Sequence, residues 1–311
     1  MSLVTRIFSW SVFPVVTAVA VLGTIWSMRQ GVEPALAIAP WIFVAYTIVA
    51  VCERIFPFQE SWLGSKGDLG PDTAWFVTNA VVNRLTEPIF LVAAVAVGAW
   101  LSARIGLGLW PGEWPLLMQL ALALAIAELW EYSFHRLMHE NEFMWRFHAV
   151  HHSAPRLYWL NAARFHPIDL TLVGVCKLIP LAILGATAEV FALVNIFSGV
   201  HGAFQHANLQ LRLGPLNWIF SMAELHRWHH SRTVAEANHN YGGNLILWDI
   251  IFGTRFLPAD REPSADIGIA DLPSFPMGYW GQLLSPFRWR AIVTDSKPHG
   301  LGGLGPSGIV Q

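Results

Sequence analysis

Residues 10–28, 35–51, 88–101 and 115–134 form four runs almost free of charged side chains. A helix needs about 20 mostly apolar residues to cross a hydrocarbon layer ~30 Å thick, because it rises ~1.5 Å per residue. Each run therefore reads as a membrane span, the third starting earlier if the apolar stretch 75–82 belongs to it. A fifth apolar region, 170–200, is interrupted by Pro180 and Gly185 and reads as a hairpin of two short helices, re-entrant or spanning. Composition agrees: 13% of the 311 residues are charged, about half the share of a soluble protein, too few to clothe a water-soluble body of this size. The 19 Lys+Arg nearly balance 21 Asp+Glu, which leaves no footprint for nucleic acid. Cys52 and Cys176 lie in apolar runs and build no disulfide scaffold. The first run is longer than a signal-peptide core and lacks a small-residue cleavage site, so it is expected to be retained.

The fold expected is all-α: a polytopic membrane helical bundle of about four spanning helices in two hairpins, plus the 170–200 hairpin, with a helical cap. Basic residues set orientation. Arg6, Arg54, Lys66, Arg84, Arg136, Arg146, Arg156 and Arg164 fall on one side, and only Arg29 and Arg104 on the other. Both termini and the cap are therefore expected on the cytoplasmic side. The chain divides into N-terminal spans (1–114), a catalytic region (115–257) and a C-terminal cytoplasmic segment (258–311) whose glycine-rich end, 300–308, reads as a flexible tail.

Twelve of the 13 histidines lie between positions 135 and 239. They read His135-x-x-x-His139, His148-x-x-His151-His152, His201-x-x-x-x-His206 and His226-x-x-His229-His230, with His166 and His239 apart. On a helix, residues three and four apart share a face, so each HxxHH triplet can converge on one side. The fourth run delivers His135 at its end, on one stripe with Glu128 and Glu131. Imidazole binds Fe, Zn, Cu and Ni, and a mononuclear zinc site needs three or four protein ligands. Two triplets and a pair already give eight, an excess that points to two metals. HExxH is absent, which argues against a zinc protease. Carboxylates are expected to hold ring N–H groups behind the ligands, with Glu131, Glu140, Asp169, Glu224 and Asp249 as candidates. His166, before Pro167, is expected to cap a helix, and His239 to sit in a surface turn.

The order of these clusters, with the stretches HAVHHSAPRLYWLNAARFHPID, FQHANLQLRLGPLNWIF and NYGGNLILWDIIFGT, resembles the fatty acid hydroxylase / sterol desaturase superfamily over residues 115–257. The resemblance implies a membrane-embedded enzyme with two Fe ions (Zn as a substitute in purified material) that uses O2 and externally supplied electrons. It implies metal ligation by His135, His139, His148, His151, His152, His206, His226, His229 and His230. His201 is a tenth candidate, with a packed core histidine as the alternative reading. The His139-Glu140 step resembles the ether-lipid-cleaving branch, where the acidic residue matters, and makes Glu140 a catalytic candidate. No fused cytochrome b5 haem motif is seen, and Pro298-His299-Gly300 is not one. A separate electron donor, cytochrome b5-like or ferredoxin with its reductase, is therefore implied. The leading expectation is hydroxylation of a C–H bond in a lipid or isoprenoid. Desaturation and ether-lipid cleavage are the enzymatic alternatives. Membrane metal binding or transport is the non-enzymatic one.

Overall fold

The computed structural model describes residues 3–105 and 108–297; the 300–308 tail and the Pro298-His299-Gly300 step lie outside them. Every regular element among the described residues is helical, and β pairing is limited to three isolated bridges. The α-helices are α1 Leu3–Arg29, α2 Pro34–Ala37, α3 Ala39–Ile55, α4 Leu69–Ile105, α5 Leu116–Glu140, α6 Glu142–His152, α7 Pro167–Leu184, α8 Ala188–His206, α9 Ala223–His229, α10 Val234–Ala237, α11 Leu247–Ile251, α12 Tyr279–Leu284 and α13 Trp289–Ser296.

Among the described residues, five helical segments are long and apolar enough to cross a membrane: α1, residues 34–55, α4, α5 and α7. Their outward faces carry bare apolar side chains such as Phe43, Ile89, Val92 and Val95. In water such a surface would be strongly unfavourable; against lipid tails it is the matched surface. The chain is an integral membrane protein.

The expected third span is the C-terminal part of a longer element. Helix α4 has 37 residues, about 55 Å at 1.5 Å per residue, and contains Pro88. Its first turns bury Asp72, Trp75 and Asn79, while the part after Pro88 is largely exposed. The 170–200 hairpin is α7 followed by α8. Pro180 does not interrupt α7, contrary to expectation; the helix runs on to Leu184. Gly185 ends it, at φ +89°, with its N–H bonded to the Ala182 carbonyl and that of Ala186 to the Leu181 carbonyl. A residue without Cβ takes that left-handed closing conformation at little cost. Helix α8 is the hub: it packs against α1, α3 and α5, and most of its side chains are buried.

Charged tethers tie the bundle to the cap at one end. Asp68, just before α4, pairs with Arg156 (2.6 Å), and Asp72 pairs with Arg164. Tyr158 donates its hydroxyl to Asp72 (2.8 Å). The Glu53 carboxylate at the end of α3 accepts the backbone N–H of both Trp159 and Asn208 (2.8 Å each). All these carboxylates and guanidinium groups are buried, so removing one partner would strand a charge at a cost of about 3–5 kcal/mol. The segment pinned this way, 153–166, supplies two of the groups that support the histidines from behind, the Arg164 carbonyl and Asn161 Oδ1. The C-terminal residues pack on the cap: Leu272, Phe275, Trp289 and Ile292 share a core with Ala149 and Val150 of α6.

Candidate metal centre

Among the described residues, nine histidines converge in two groups. His135, His139, His148, His152 and His229 form one; His151, His206, His226 and His230 form the other, and within each group the potential ligand atoms lie within 4.8 Å of one another. Neither triplet converges on a single point. In α6, His148 and His152 join the first group and His151 the second; in α9, His226 and the C-cap residue His230 join the second group and His229 the first. The reason is the helical repeat. At 3.6 residues per turn, side chains four apart are displaced by only about 40°, but adjacent ones by about 100°. Each short helix therefore serves both groups and fixes their spacing.

The rings are oriented from behind. His135 donates its Nδ1–H to the Tyr241 carbonyl (2.6 Å), His151 to the Arg164 carbonyl (3.2 Å), and His229 to the His239 carbonyl (2.8 Å). His148 donates to the Asp169 carboxylate (2.9 Å), His206 to Asn161 Oδ1 (3.0 Å) and His139 to Asn238 Oδ1 (3.2 Å). An acceptor at Nδ1 assigns the proton there and leaves a lone pair on Nε2. In the first group those lone pairs face each other: His135 Nε2 lies 3.0 Å from that of His148 and 3.1 Å from that of His229. Two acceptors at that distance repel. A cation between them turns the arrangement favourable, and separations of this size are those of neighbouring ligands about 2.1 Å from one ion. Nε2 of His139 and of His152 are buried with no hydrogen-bond partner, and in the second group Nε2 of His226 lies 2.9 Å from that of His206 and 3.0 Å from that of His230. Buried orphan nitrogens are costly unless something binds them. The donor set thus fits two metal ions, one per group.

Burial, reinforced by neighbouring imidazoles, holds His148, His151, His152, His226, His229 and His230 well below the usual histidine pKa. Burial and the Arg164 charge bring His206 down to about 3. The rings are neutral at physiological pH, the form in which imidazole coordinates a metal.

The Asn-His-Asn-Tyr-Gly-Gly-Asn run supplies much of the support. Asn240 takes a left-handed backbone (φ 56°), and its side-chain amide donates to the Leu225 and Phe256 carbonyls (3.0 and 2.7 Å). That turn presents the flanking His239 and Tyr241 carbonyls to His229 and His135. Asp249 fixes it by accepting the N–H of Tyr241 and of Gly242 (2.8 Å each). Of the five carboxylates considered, Asp169 reaches a ligand candidate directly and Asp249 acts through the turn. Asp169→Ala is expected to lower metal affinity by about 10–100-fold, the usual cost of losing a ligand's supporting partner, and metal titration of the purified protein measures it.

The fatty acid hydroxylase family profile matches residues 120–254. An ornithine lipid hydroxylase of Rhizobium tropici is 38% identical over 266 residues, 83% of this chain and 80% of that protein. The chain belongs to the fatty acid hydroxylase family. Two further relatives are an alkylglycerol monooxygenase of Xenopus tropicalis (30% over 221 residues, 70% of this chain, 47% of that protein) and methylsterol monooxygenase 1 of Rattus norvegicus (26% over 154 residues, 46% of this chain, 48% of that protein). The chain spans about half the length of each of these two. No solved structure matches.

In this member of the fatty acid hydroxylase family, two sequence candidates stand outside the histidine groups. His201 is fully buried but belongs to neither; it donates Nε2–H to the Ser221 carbonyl (2.8 Å) and packs against Phe197. Glu140, the catalytic candidate, is half exposed at the end of α5 and pairs with Arg136 (2.7 Å). It lines none of the three spaces near the histidines. Glu140→Ala is expected to leave metal content unchanged, since an exposed pair of this kind is worth at most about 1 kcal/mol; metal analysis of the variant checks it. His166 caps α7 as expected, its Nδ1 accepting the Ile168 N–H (3.2 Å). His239 is partly buried, and its contribution is the backbone carbonyl rather than the ring. Asn161, Asn238, Asn240 and Arg164 escaped the sequence reading as supports. Three of them sit in the stretches that carry the family resemblance: Asn161 and Arg164 in the first and Asn240 in the third. Asn238 lies two residues before the third.

A cavity of about 170 Å³ lies against the histidines, lined by His135, His148, His151, His206 and His226 together with Met138 and Phe165. It abuts a groove of about 400 Å³ between α4, α7 and α8. A separate cleft of about 100 Å³ reaches His139 and His152 one turn further along α5, beside Trp145.

Proposed function

We propose that the chain is a membrane-embedded di-iron oxygenase that hydroxylates a C–H bond of a membrane lipid. The observation that carries the reading is the pair of convergent histidine groups, beside a cavity that shares five lining residues with a groove between α4, α7 and α8. His135, His139, His148, His152 and His229 hold one ion; His151, His206, His226 and His230 hold the other. Zinc has no redox chemistry, whereas non-haem iron in an imidazole shell does. With iron bound, the centre supplies the oxidising chemistry for RH + O2 + 2 e⁻ + 2 H⁺ → ROH + H2O, the electrons coming from a separate donor protein. The names of the relatives support the substrate class, since each names a hydroxylase or monooxygenase, two of them of a lipid or sterol.

The chain's own residues orient and exclude. Asp169, Asn161 and the Tyr241, His239 and Arg164 carbonyls fix the ligand rings. Met138, Phe165 and Val173 give the cavity apolar walls that favour a hydrocarbon segment over water. The groove between α4, α7 and α8 admits a lipid sideways from the bilayer. The excess of arginine at the cap end over the Arg29 and Arg104 end supports a cytoplasmic cap, where soluble electron donors are at hand.

The test is to purify the protein, count iron and follow lipid products with a reductant, with and without O2. About two irons per chain and an O2-dependent product 16 mass units heavier are expected. A product lighter by two would show desaturation instead. Iron-loaded protein that consumes no O2 with any membrane lipid would overturn the reading.

A further inference from the structure

The nine clustered rings are at most 9% exposed, so an electron carrier outside the protein meets the metals only through other side chains. Electron transfer falls steeply with distance, and entry is favoured where the ligand rings come nearest to the cap surface through packed atoms. Trp145, on α6, occupies such a place. Its indole lies 5.2 Å from the His139 ring, 5.3 Å from that of His152 and 6.1 Å from that of His148, centroid to centroid, all within the range of packed aromatic pairs. The three histidines belong to the five-membered group. The same indole is part-buried and lines the cleft of about 100 Å³ together with His139 and His152. Glu142, Arg232, Val234 and Asp271, all exposed, also line that cleft, so it opens on the surface of the cap.

The cleft shares no lining residue with the cavity at the histidines or with the lateral groove. Lipid and electron thus have separate approaches to one centre. Other aromatic side chains fit the task less well. Phe165 stacks on His151 at 4.1 Å but lines the cavity and the groove, on the lipid side. Tyr241 packs on His135, His139 and His229, yet it is 2% exposed and lines none of these three spaces. Trp228 lines a wider cleft of about 700 Å³ and precedes His229 in the chain. It is 1% exposed, however, and its ring packs on Phe256 and under the Arg261 guanidinium.

We propose that Trp145 is the electron entry of this centre: a one-electron carrier protein, bearing haem or an iron–sulfur cluster, is seated at the mouth of the cleft, and its electrons reach the five-membered histidine group across the indole. Each carrier gives up one electron and is left oxidised. The electron crosses to the imidazoles of His139, His148 and His152 and reduces ferric iron held by that group to ferrous. Two such transfers supply the two electrons of the hydroxylation, and no bond in the indole is made or broken. Because the indole's histidine contacts are all with the five-membered group, that group receives the electron first. This deepens the oxygenase reading and rests on it for the need for electrons, but not for the route they take.

The test uses the full-length, iron-loaded, oxidised protein in detergent, without O2 and without added lipid. A ruthenium photosensitiser is attached to a cysteine at the cleft mouth, Asp271→Cys, and in a second protein to one in the cleft lined by Trp228, Asp260→Cys. A flash with a sacrificial reductant leaves one electron on the label, and the decay of its absorbance times the arrival at iron. Metal-free protein is the blank, and labelled protein without the added cysteine gives the background from Cys52 and Cys176. Arrival is expected to be faster from the Asp271→Cys label than from the Asp260→Cys label. Trp145→Leu should slow arrival from the first label by an order of magnitude or more, with Trp145→Phe in between, and leave iron content and arrival from the second label unchanged. If the leucine variant loses iron, the phenylalanine variant carries the comparison, since it keeps a ring in the core. Equal rates in wild type and variants, or faster arrival from the second label, would overturn the proposal and leave the oxygenase standing. Arrival that depends on Trp145, in a protein that forms no O2-dependent product, would do the reverse.

Discussion

His226→Ala is expected to reduce bound iron from about two to about one per chain and to lower turnover by more than about 100-fold, the upper figure for losing merely a ligand's supporting partner. His226 belongs to the four-membered group, where its Nε2 lies 2.9 Å from that of His206 and 3.0 Å from that of His230. Removing it leaves three rings and an open face. The five-membered group, on the other side of α6 and α9, keeps its full set, so loss of one ion rather than both is the specific expectation. His201→Ala is the matched control. That ring is as deeply buried, yet it spends its Nε2–H on the Ser221 carbonyl. Its loss should cost about 1 kcal/mol for the hydrogen bond, since the Ser221 carbonyl keeps the Gln205 amide (2.7 Å), together with the lost packing, and leave both irons in place. Elemental analysis of the two variants, purified alike, decides. If they lose iron equally, the division into ligands and packing residues is wrong.

Metal-free protein should lose stability steeply as the pH falls below 6.5. Seven of the clustered histidines lie outside the membrane-spanning helices, and each is held below its ordinary value, chiefly by burial. Above pH 6.5 they are neutral in both the folded and the unfolded chain and contribute no pH dependence. Below 6.5 the unfolded chain takes up protons that the folded chain refuses, which favours unfolding. The penalty grows by about 1.4 kcal/mol per pH unit for each ring until its own folded value is reached. Because seven rings act together, the loss with falling pH is expected to be steep. Bound metal opposes this, because protons must then displace ions to reach the ligand nitrogens. Thermal melting of chelator-treated and metal-loaded protein at pH 7.5, 6.5 and 5.5 tests the idea. The treated sample should fall sharply between the last two while the loaded one holds. Parallel curves would mean that the rings are not buried as a neutral cluster.

Much of this was open to inspection in the chain alone. Apolar length announces spans because the bilayer sets a fixed thickness and leaves a helix one way to satisfy its backbone. The spacing of His135 and His139, and of the two triplets, announced metal, because helical geometry puts such residues on a shared face. Even the capping role of His166 was visible from the proline that follows it. The reading faltered where a local pattern underdetermines a distant partner. Pro180 looked like a break, yet a packed helix absorbs it. Glu140 is next to His139 in the chain, but one residue further on is about 100° around the helix, and its carboxylate pairs with Arg136.

The sequence by itself determined that this chain crosses a membrane with helices and gathers imidazoles at one end of them, because chain length, hydrophobic run and helical period are local properties. Only the tertiary structure decided how the nine rings divide five and four, which carbonyls and carboxylates fix their tautomers, and that Lys177 of one helix meets Glu131 of another at the mouth of the cavity. Those are relations between residues up to about a hundred positions apart, set by how α5, α6, α7 and α9 pack, and no periodicity along the chain encodes them.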